Sequence, residues 1–143
     1  MKKIVFSFFF SVITIASFAQ AKVDKDKENL FLSCDNFMKT FSQGQFKEAI
    51  DMLKLTSVID HDTIDSLAIK SDNIMNDIAS SYGKIVSYEY IGSKTIKDFM
   101  VKRNYMLRFD KYFLKFSFTL YKSGKGWTVV NFFYNEEIDE LFK

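Results

Sequence analysis

The period of the hydrophobic pattern changes once along this chain, at Gly83, and that change limits the fold more than any other feature. Before Gly83, apolar side chains recur every three to four residues, which is the spacing of one face of an α-helix. From Val86 to Leu120, apolar and polar side chains alternate, as in a β-strand with one buried face, and the run from Trp127 to Tyr134 is apolar on both faces. Helices followed by strands predict an α+β domain. The chain has 143 residues, so we expect a single domain with one core.

The predicted elements follow from these two periods. Apolar stripes predict helices over residues 30–41, 46–53 and 64–82, with Asp60 or Asp62 as the N-cap of the third helix. Alternation predicts strands over residues 86–90, 99–109 and 112–120, and the run 127–134 predicts a fourth strand that is apolar on both faces. The segments 110–111 and 122–126 are short enough for hairpin loops. We therefore expect three helices packed on one face of a curved, four-stranded antiparallel sheet.

The first residues have the layout of a secretory signal peptide. Lys2 and Lys3 precede an uncharged stretch, residues 4–18, and small residues surround the predicted cleavage site after Ala19 or Ala21. We therefore predict a signal peptide over residues 1–19, a single domain over 20–143, and a periplasmic or secreted protein without a membrane span. The alternative is an uncleaved membrane anchor, but the uncharged stretch is shorter than the roughly 20 residues that cross a bilayer.

Charge and composition argue against several classes of protein. The formal net charge of +2 is lost when Lys2 and Lys3 are removed with the signal peptide. A nucleic-acid-binding protein normally carries a basic excess, so we expect no nucleic-acid partner. The chain contains one Cys and one His, too few for a disulfide, a zinc site built from cysteines or a site with two imidazoles. We therefore predict no metal and no cofactor.

Three stretches resemble the nuclear transport factor 2-like superfamily, also called SnoaL-like or cystatin-like. They are the helical run FMKTFSQGQFKEAIDMLK, the segment YGKIVSYEYIG, and the strand opening GKGWTVVNFFY. The resemblance covers about residues 28–134 and is to small exported bacterial members. It implies a cone-shaped domain with an apolar pocket between helices and sheet, and homodimers formed through the sheet. It does not imply one activity, because members include isomerases, cyclases, dehydratases and transport factors.

The predicted pocket lacks a group for proton transfer. Enzymes of this fold need a carboxylate aimed into the pocket, and no strand places an acid within its apolar stripe, so we predict no catalytic residue. Arg103 and Asn131 interrupt the stripes. Arg103 is either an anion clamp at the pocket mouth, or is paired with a helix carboxylate or turned outward by a bulge. The predicted pocket residues are Arg103, Tyr105, Tyr88, Tyr90, Trp127 and Asn131.

Aromatic residues also fall on the opposite face of the predicted sheet. An exposed aromatic patch marks a partner surface, and a two-fold dimer through the sheet would cover it. The alternative cover is the C-terminal segment, residues 138–142. The predicted dimer surface comprises Phe113, Tyr121, Val130, Phe132 and Tyr134.

These patterns favour an exported, non-catalytic domain. We expect it to bind a small apolar or anionic amphiphilic ligand, or a protein partner, through the cone pocket or the sheet face. One alternative is an isomerase- or cyclase-type enzyme that polarises a carbonyl with Arg103 and tyrosines. Another is a structural dimerisation module with a filled interior. Cys34 lies on the apolar stripe of the first helix, so we expect a buried thiol.

Overall fold

The computed structural model describes the backbone of residues 8–143 and the side chains of residues 25–143. The predicted signal peptide, residues 1–19, lies outside the residues whose side chains are described. The order of helices and strands confirms the predicted α+β class. The elements are α1 (Phe8–Ser42), α2 (Phe46–Asp51), α3 (Leu53–Thr56), α4 (His61–Tyr82), β1 (Ile85–Ile96), β2 (Met100–Phe109), β3 (Phe113–Ser123), β4 (Gly126–Asn135) and a 3₁₀ turn (Asp139–Leu141).

The four strands form one antiparallel sheet in the order β1-β2-β3-β4. Tyr105 on β2 pairs with Tyr90 on β1 and with Phe116 on β3, so a row of aromatic residues crosses three strands. Each strand pairs with its neighbour in sequence, which a meander with short connections requires. The second predicted helix is divided at Met52 into α2 and the single turn α3. Nowhere among the described residues is a helix both long and apolar enough to cross a membrane.

The core is an aromatic layer between α1 and the sheet. Phe37 is 2% exposed, and its ring centre lies 5.1 Å from that of Phe118 and 5.0 Å from that of Phe132. One turn later, the Phe41 ring lies 4.9 Å from the Phe116 ring. Burying a side chain of this size contributes about 1.5–3 kcal/mol to folding. These contacts place the helices on one face of the sheet, which we call the helix-facing side; the other face is the open face.

Both ends of α4 are determined by specific residues. Asp60 is the N-cap, and its Oδ1 accepts a 2.8 Å hydrogen bond from the Thr63 backbone N–H. Gly83 ends the helix with φ of 82°, and a Cβ there would lie 2.8 Å from Asp110 Cβ. Asp110 in turn accepts a hydrogen bond from the Lys84 N–H at 3.1 Å. Glycine at position 83 therefore allows the end of α4 to lie against the β2–β3 hairpin.

A β-bulge in β4 reverses the predicted orientation of its second half. Leu120 pairs with Val129 and Thr119 pairs with Asn131, so Val130 is the extra residue. A bulge shifts the alternation by one residue, and every later side chain changes face. Asn131 therefore lies on the open face. The prediction that Asn131 interrupts the apolar stripe facing the pocket is wrong, because Trp127 and Val129 lie on the helix-facing side and Asn131 does not.

The same bulge changes the predicted dimer surface. Phe132 is 8% exposed and packs on Phe37 of α1. Tyr134 packs near Phe41, and its hydroxyl lies 3.1 Å from Ser71 Oγ of α4. Both side chains face the helices, so their assignment to an exposed aromatic surface is wrong.

Candidate functional site

An apolar cavity lies between α1, α3 and the strands β3 and β4. Its volume is about 120 Å³. Leu53, Phe118 and Val129 are each at most 2% exposed and belong to the same core that surrounds the cavity. The lining residues are Ser33, Cys34, Phe37, Met52, Leu53, Leu55, Thr56, Phe118 and Val129.

A polar groove of about 310 Å³ adjoins the cavity. Ser33, Leu55 and Thr56 line both spaces, so they form the boundary between them. The rest of the groove is more polar than the cavity. Its other lining residues are Asp26, Asn29, Leu30, Ser57, Lys125, Gly126, Trp127 and Thr128.

Trp127 forms an aromatic wall of the groove. The Lys27 ammonium lies 5.2 Å from the centre of the Trp127 ring, within the range of a cation–π contact. The Trp127 Nε1–H is buried and has no hydrogen-bond partner among the described residues. The groove therefore presents positive and negative groups, Lys125 and Asp26, beside an aromatic surface.

The boundary residues carry exposed apolar surface. Leu55 of α3 is 90% exposed although it lines the cavity, and Val58 shortly after it is 66% exposed. A single exposed apolar side chain is common on protein surfaces, but Leu55 also lines an apolar cavity. Leu55 is thus placed to cover an apolar group that enters between α1 and α3.

The Cys34 thiol, which lines this cavity, is uncharged. Burial raises the pKa of this thiol to about 12, although the positive charge of Arg103 acts in the opposite direction. The thiol is therefore neutral at ordinary pH and is a weak nucleophile. His61 stands at the start of α4 and is not among the residues that line the cavity or the groove. The chemistry of the walls is suited to enclosing an apolar group.

Arg103 is paired with a carboxylate on α1. Its Nη2 lies 3.1 Å from Asp35 Oδ1, and its Nε donates a 3.0 Å hydrogen bond to the Tyr105 hydroxyl. The guanidinium lies between two rings, 4.2 Å from the centre of Phe31 and 4.4 Å from that of Tyr90. The structure thus confirms the alternative in which Arg103 forms an ion pair with a helix carboxylate.

Asp35 is the residue that sequence reasoning missed. The Tyr105 hydroxyl also donates to Asp35 Oδ1, so one carboxylate oxygen accepts hydrogen bonds from two buried groups. Burial and the Asp35 contact raise the pKa of Tyr105, which therefore stays protonated. Burial disfavours the charge on Arg103, but Tyr105 and Asp35 outweigh it and raise its pKa. The sequence feature that could have indicated Asp35 is its position directly after Cys34, at the edge of the apolar stripe of α1.

The structure does not bring the six predicted pocket residues together in one pocket. Trp127 lines the polar groove, and Asn131 lines a second groove, of about 580 Å³, beside the start of α4. Tyr88 is half-buried against the core. The remaining three, Arg103, Tyr105 and Tyr90, form one cluster with Asp35.

The other members of the predicted dimer surface remain away from the helices or at the strand edge. Phe113 pairs with Arg108, and Tyr121 pairs with Met100; both lie on the open face, and Tyr121 is 38% exposed. Val130 is the bulge residue and lines the second groove. The C-terminal segment contacts the open face through Glu140, which binds Lys102 and Lys115, whereas Phe142 is 82% exposed and Tyr121 stays 38% exposed. Cover of the aromatic residues by this segment stays a prediction.

No protein family, curated protein or solved structure matches this chain. The resemblance to the nuclear transport factor 2-like superfamily therefore stays a prediction. Within the described residues, no group of three or more His, Cys, Asp or Glu side chains is arranged to hold a metal ion.

Proposed function

We propose that this protein is an exported binding protein for a small amphiphilic molecule, whose apolar part enters the cavity beside Cys34 and whose polar part lies in the adjoining groove. The observation that carries the proposal is the shared boundary of Ser33, Leu55 and Thr56, because it places an apolar and a polar space side by side. Small-molecule sites typically combine apolar walls with a few polar groups that orient the ligand.

The cavity volume limits the apolar part to a short group. An apolar cavity of about 150 Å³ stays dry and binds benzene, so one of 120 Å³ suits about four to six carbon atoms. Larger ligands of about 300 Å³ or more would need both spaces. A short acyl or aromatic group with a polar head fits this combination. The head group meets Lys125, Asp26 and Asn29, which favours a small head that both accepts and donates hydrogen bonds.

Titration with hexanoate, hexanol and hexylamine, followed by NMR chemical-shift changes, tests the proposal. We expect at least one of the three to shift the signals of Leu53, Leu55 and Val129, with Kd of about 1 mM, because roughly eight heavy atoms provide about 4 kcal/mol. The ranking of the three ligands identifies the charge that the groove prefers. Saturable shifts confined to other regions, or none, would contradict the proposed site.

Ser33→Phe and Asn36→Phe form a matched pair for this titration. Ser33 lies at the boundary between cavity and groove, whereas Asn36 is exposed on the same helix and lines neither. A phenyl group at position 33 should block the opening and weaken binding at least tenfold. The Asn36→Phe protein should bind as the unmodified protein does. Equal binding by both variants would place the ligand elsewhere.

Export is tested separately by N-terminal sequencing of the protein purified from its host. Cleavage after Ala19 or Ala21 predicts Gln20 or Lys22 as the first residue. Native mass spectrometry of the same material would detect a retained ligand. A chain that still begins at Met1 would exclude cleavage and favour the uncleaved anchor.

A further inference from the structure

The turn that joins β1 to β2 and the turn that joins β3 to β4 lie at the same end of the sheet. Ile96, the last residue of β1, pairs with Met100, and Met100 pairs with Tyr121 near the end of β3. The β3–β4 turn follows shortly after Tyr121. We call this end of the domain the tip and define it as residues 96–100 and 121–126.

The tip exposes three large apolar side chains to solvent. Ile96 is 57% exposed, and Phe99 and Tyr121 are each 38% exposed. The rings of Phe99 and Tyr121 pack on each other with centres 6.3 Å apart, and the Phe99 backbone oxygen accepts a 2.8 Å hydrogen bond from the Lys122 N–H. The sheet therefore holds this apolar surface in place. None of the three side chains lines the cavity or the two grooves described above.

The charged residues of the tip are mainly basic. The three lysines at positions 97, 122 and 125 outnumber the single acid, Asp98. Asp98 is paired with Lys122, whose Nζ lies 3.2 Å from Asp98 Oδ2. Lys97 and Lys125 are exposed and form no ion pair with another side chain of residues 25–143. The tip therefore carries exposed positive charge beside exposed apolar surface.

The N-terminal helix α1 enters the domain at the tip. Asp26 of α1 lies beside Gly126, where an added Cβ would be 3.5 Å from Asp26 Oδ2. Further along α1, Phe41 contacts Phe116 in the middle of β3. The helix therefore runs from the tip across the sheet, and the residues that precede Asp26 leave the domain at the tip. The predicted signal peptide, residues 1–19, is joined to the domain at this end, so export brings the tip close to a bilayer.

We propose that the tip binds the surface of a bilayer that contains anionic phospholipid. Ile96, Phe99 and Tyr121 enter the head-group region, and the lysines of the tip lie against the lipid phosphates. Apolar side chains that enter this region act together with lysines that are attracted to anionic lipids. The domain then lies on the membrane, and an attachment of this kind needs no membrane-spanning helix.

The size of the tip favours a lipid surface over a protein partner. A stable protein interface buries about 800 Å² on each partner, and an aromatic side chain buries at most about 150–250 Å². Three side chains that are already partly buried provide much less than the area of such an interface. A bilayer requires no matching surface, and the negative charge of its phosphates complements the exposed lysines.

Flotation with lipid vesicles tests the proposal on a chain that begins at Gln20. This chain lacks the uncharged stretch of residues 4–18 and keeps every residue whose side chain the structure describes. Vesicles of phosphatidylglycerol and phosphatidylcholine in equal parts are compared with vesicles of phosphatidylcholine alone. We expect at least tenfold tighter binding to the anionic vesicles, because each lysine near such a surface contributes about fivefold. Salt at about 1 M should weaken this binding, because it reduces the screening length to about 3 Å.

Ile96→Ser and Val86→Ser form a matched pair that tests the apolar contribution. Ile96 is 57% and Val86 is 56% exposed, and they lie at opposite ends of the same strand, β1. Ile96→Ser should weaken binding to anionic vesicles about fivefold, because about half of an isoleucine side chain is available for burial. The Val86→Ser protein should bind as the unmodified chain does.

Lys97→Glu and Lys111→Glu form a second pair that tests the charge. Both lysines are exposed, and they lie in the β1–β2 and β2–β3 turns at opposite ends of the sheet. The two variants have the same net charge, so any difference between them depends on position. Lys97→Glu should weaken binding at least tenfold, and Lys111→Glu less than threefold. Circular dichroism of every variant confirms folding before the comparison.

Three results would overturn the proposal. The first is an unmodified chain that does not float with anionic vesicles, which would leave a protein partner as the occupant of the tip. The second is equal binding to both kinds of vesicle. The third is folded Ile96→Ser and Lys97→Glu proteins that bind as tightly as their controls. None of these results bears on hexanoate binding, because no residue of the tip lines the cavity beside Cys34.

Discussion

Each face of the sheet holds a buried cation and one carboxylate, but the two carboxylates are held very differently. Asp35, the partner of Arg103, belongs to the helix α1, whose aromatic residues form the core. Glu140, the partner of Lys115, belongs to a short C-terminal segment with a single 3₁₀ turn. The first carboxylate cannot leave without disturbing the core. The second can leave by moving the segment alone.

The two buried cations, Arg103 and Lys115, also differ in how many contacts hold them. Arg103 has a hydrogen bond to Tyr105 and two aromatic rings against its guanidinium, so several contacts hold it besides the ion pair. Lys115 has Glu140 alone among the described residues. A planar guanidinium suits a permanent, stacked position, whereas an ammonium is a compact charge that readily regains water. We infer that the Arg103 pair is structural and that the Lys115 pair opens more readily.

The largest expected effect comes from Asp35→Ala. The change leaves Arg103 buried at 7% exposure without a counter-charge, and it removes the acceptor of the Tyr105 hydroxyl. Breaking a buried ion pair costs about 3–5 kcal/mol, and we expect about 2–3 kcal/mol because the Asp35 side chain is 42% exposed. Urea denaturation measures the loss.

Two controls accompany this prediction. Asp65→Ala removes the exposed partner of Lys54 and should cost less than about 1 kcal/mol. Asp35→Ala combined with Arg103→Met removes the unpaired charge as well and should recover part of the lost stability. An Asp35→Ala protein as stable as the Asp65→Ala protein would show that the two faces do not differ as we argue.

Glu140→Gln is expected to have a smaller effect on stability than Asp35→Ala, of about 1 kcal/mol. The segment can move away and water can reach Lys115, so the cation does not remain buried without a counter-charge. Hydrogen exchange should show faster opening of residues 138–142 with little change in the core strands. Glu137→Gln, at an exposed neighbouring residue, should change neither measurement. A global loss of stability equal to that of Asp35→Ala would contradict the displaceable segment.

Much of the fold follows from the sequence because the apolar periodicity of most helices and strands is uninterrupted. In β2 and β3 the alternation runs without a bulge, so the helix-facing residues from Val101 to Phe109 were predicted correctly. In β4, the run VVNFFY is apolar at positions of both parities, and no glycine marks the bulge at Val130. The register without a bulge would turn Asn131 and Phe133 toward the helices, and the observed register turns Phe132 and Tyr134 there. The choice depends on Phe37 and Phe41 of a distant helix, which a local pattern does not contain.

The candidate site was less predictable than the fold. The cost of burying Arg103 predicted a helix carboxylate, but several acids precede the sheet, and only the packing of α1 selects Asp35. The cavity depends on the turn α3, where Leu55 and Thr56 approach Ser33 of α1. A helix of four residues is too short to show a period of 3.6. Its position is determined instead by the break at Met52 and by the bridge from Ser57 to Val129.

Acidification should weaken the Glu140 attachment within a defined range of pH. The hydrogen bonds from Lys115 and Lys102 lower the pKa of Glu140 from 4.5 to about 2. The unfolded chain therefore binds the proton first as the pH falls, so the contribution of Glu140 is complete above about pH 5 and is lost as the pH approaches 2. The difference in urea midpoint between the unmodified and Glu140→Gln proteins should be constant from pH 7 to 5 and then shrink. A difference that persists unchanged at pH 2.5 would mean that the carboxylate charge does not hold the segment, and the contrast with Asp35 would then rest on packing alone.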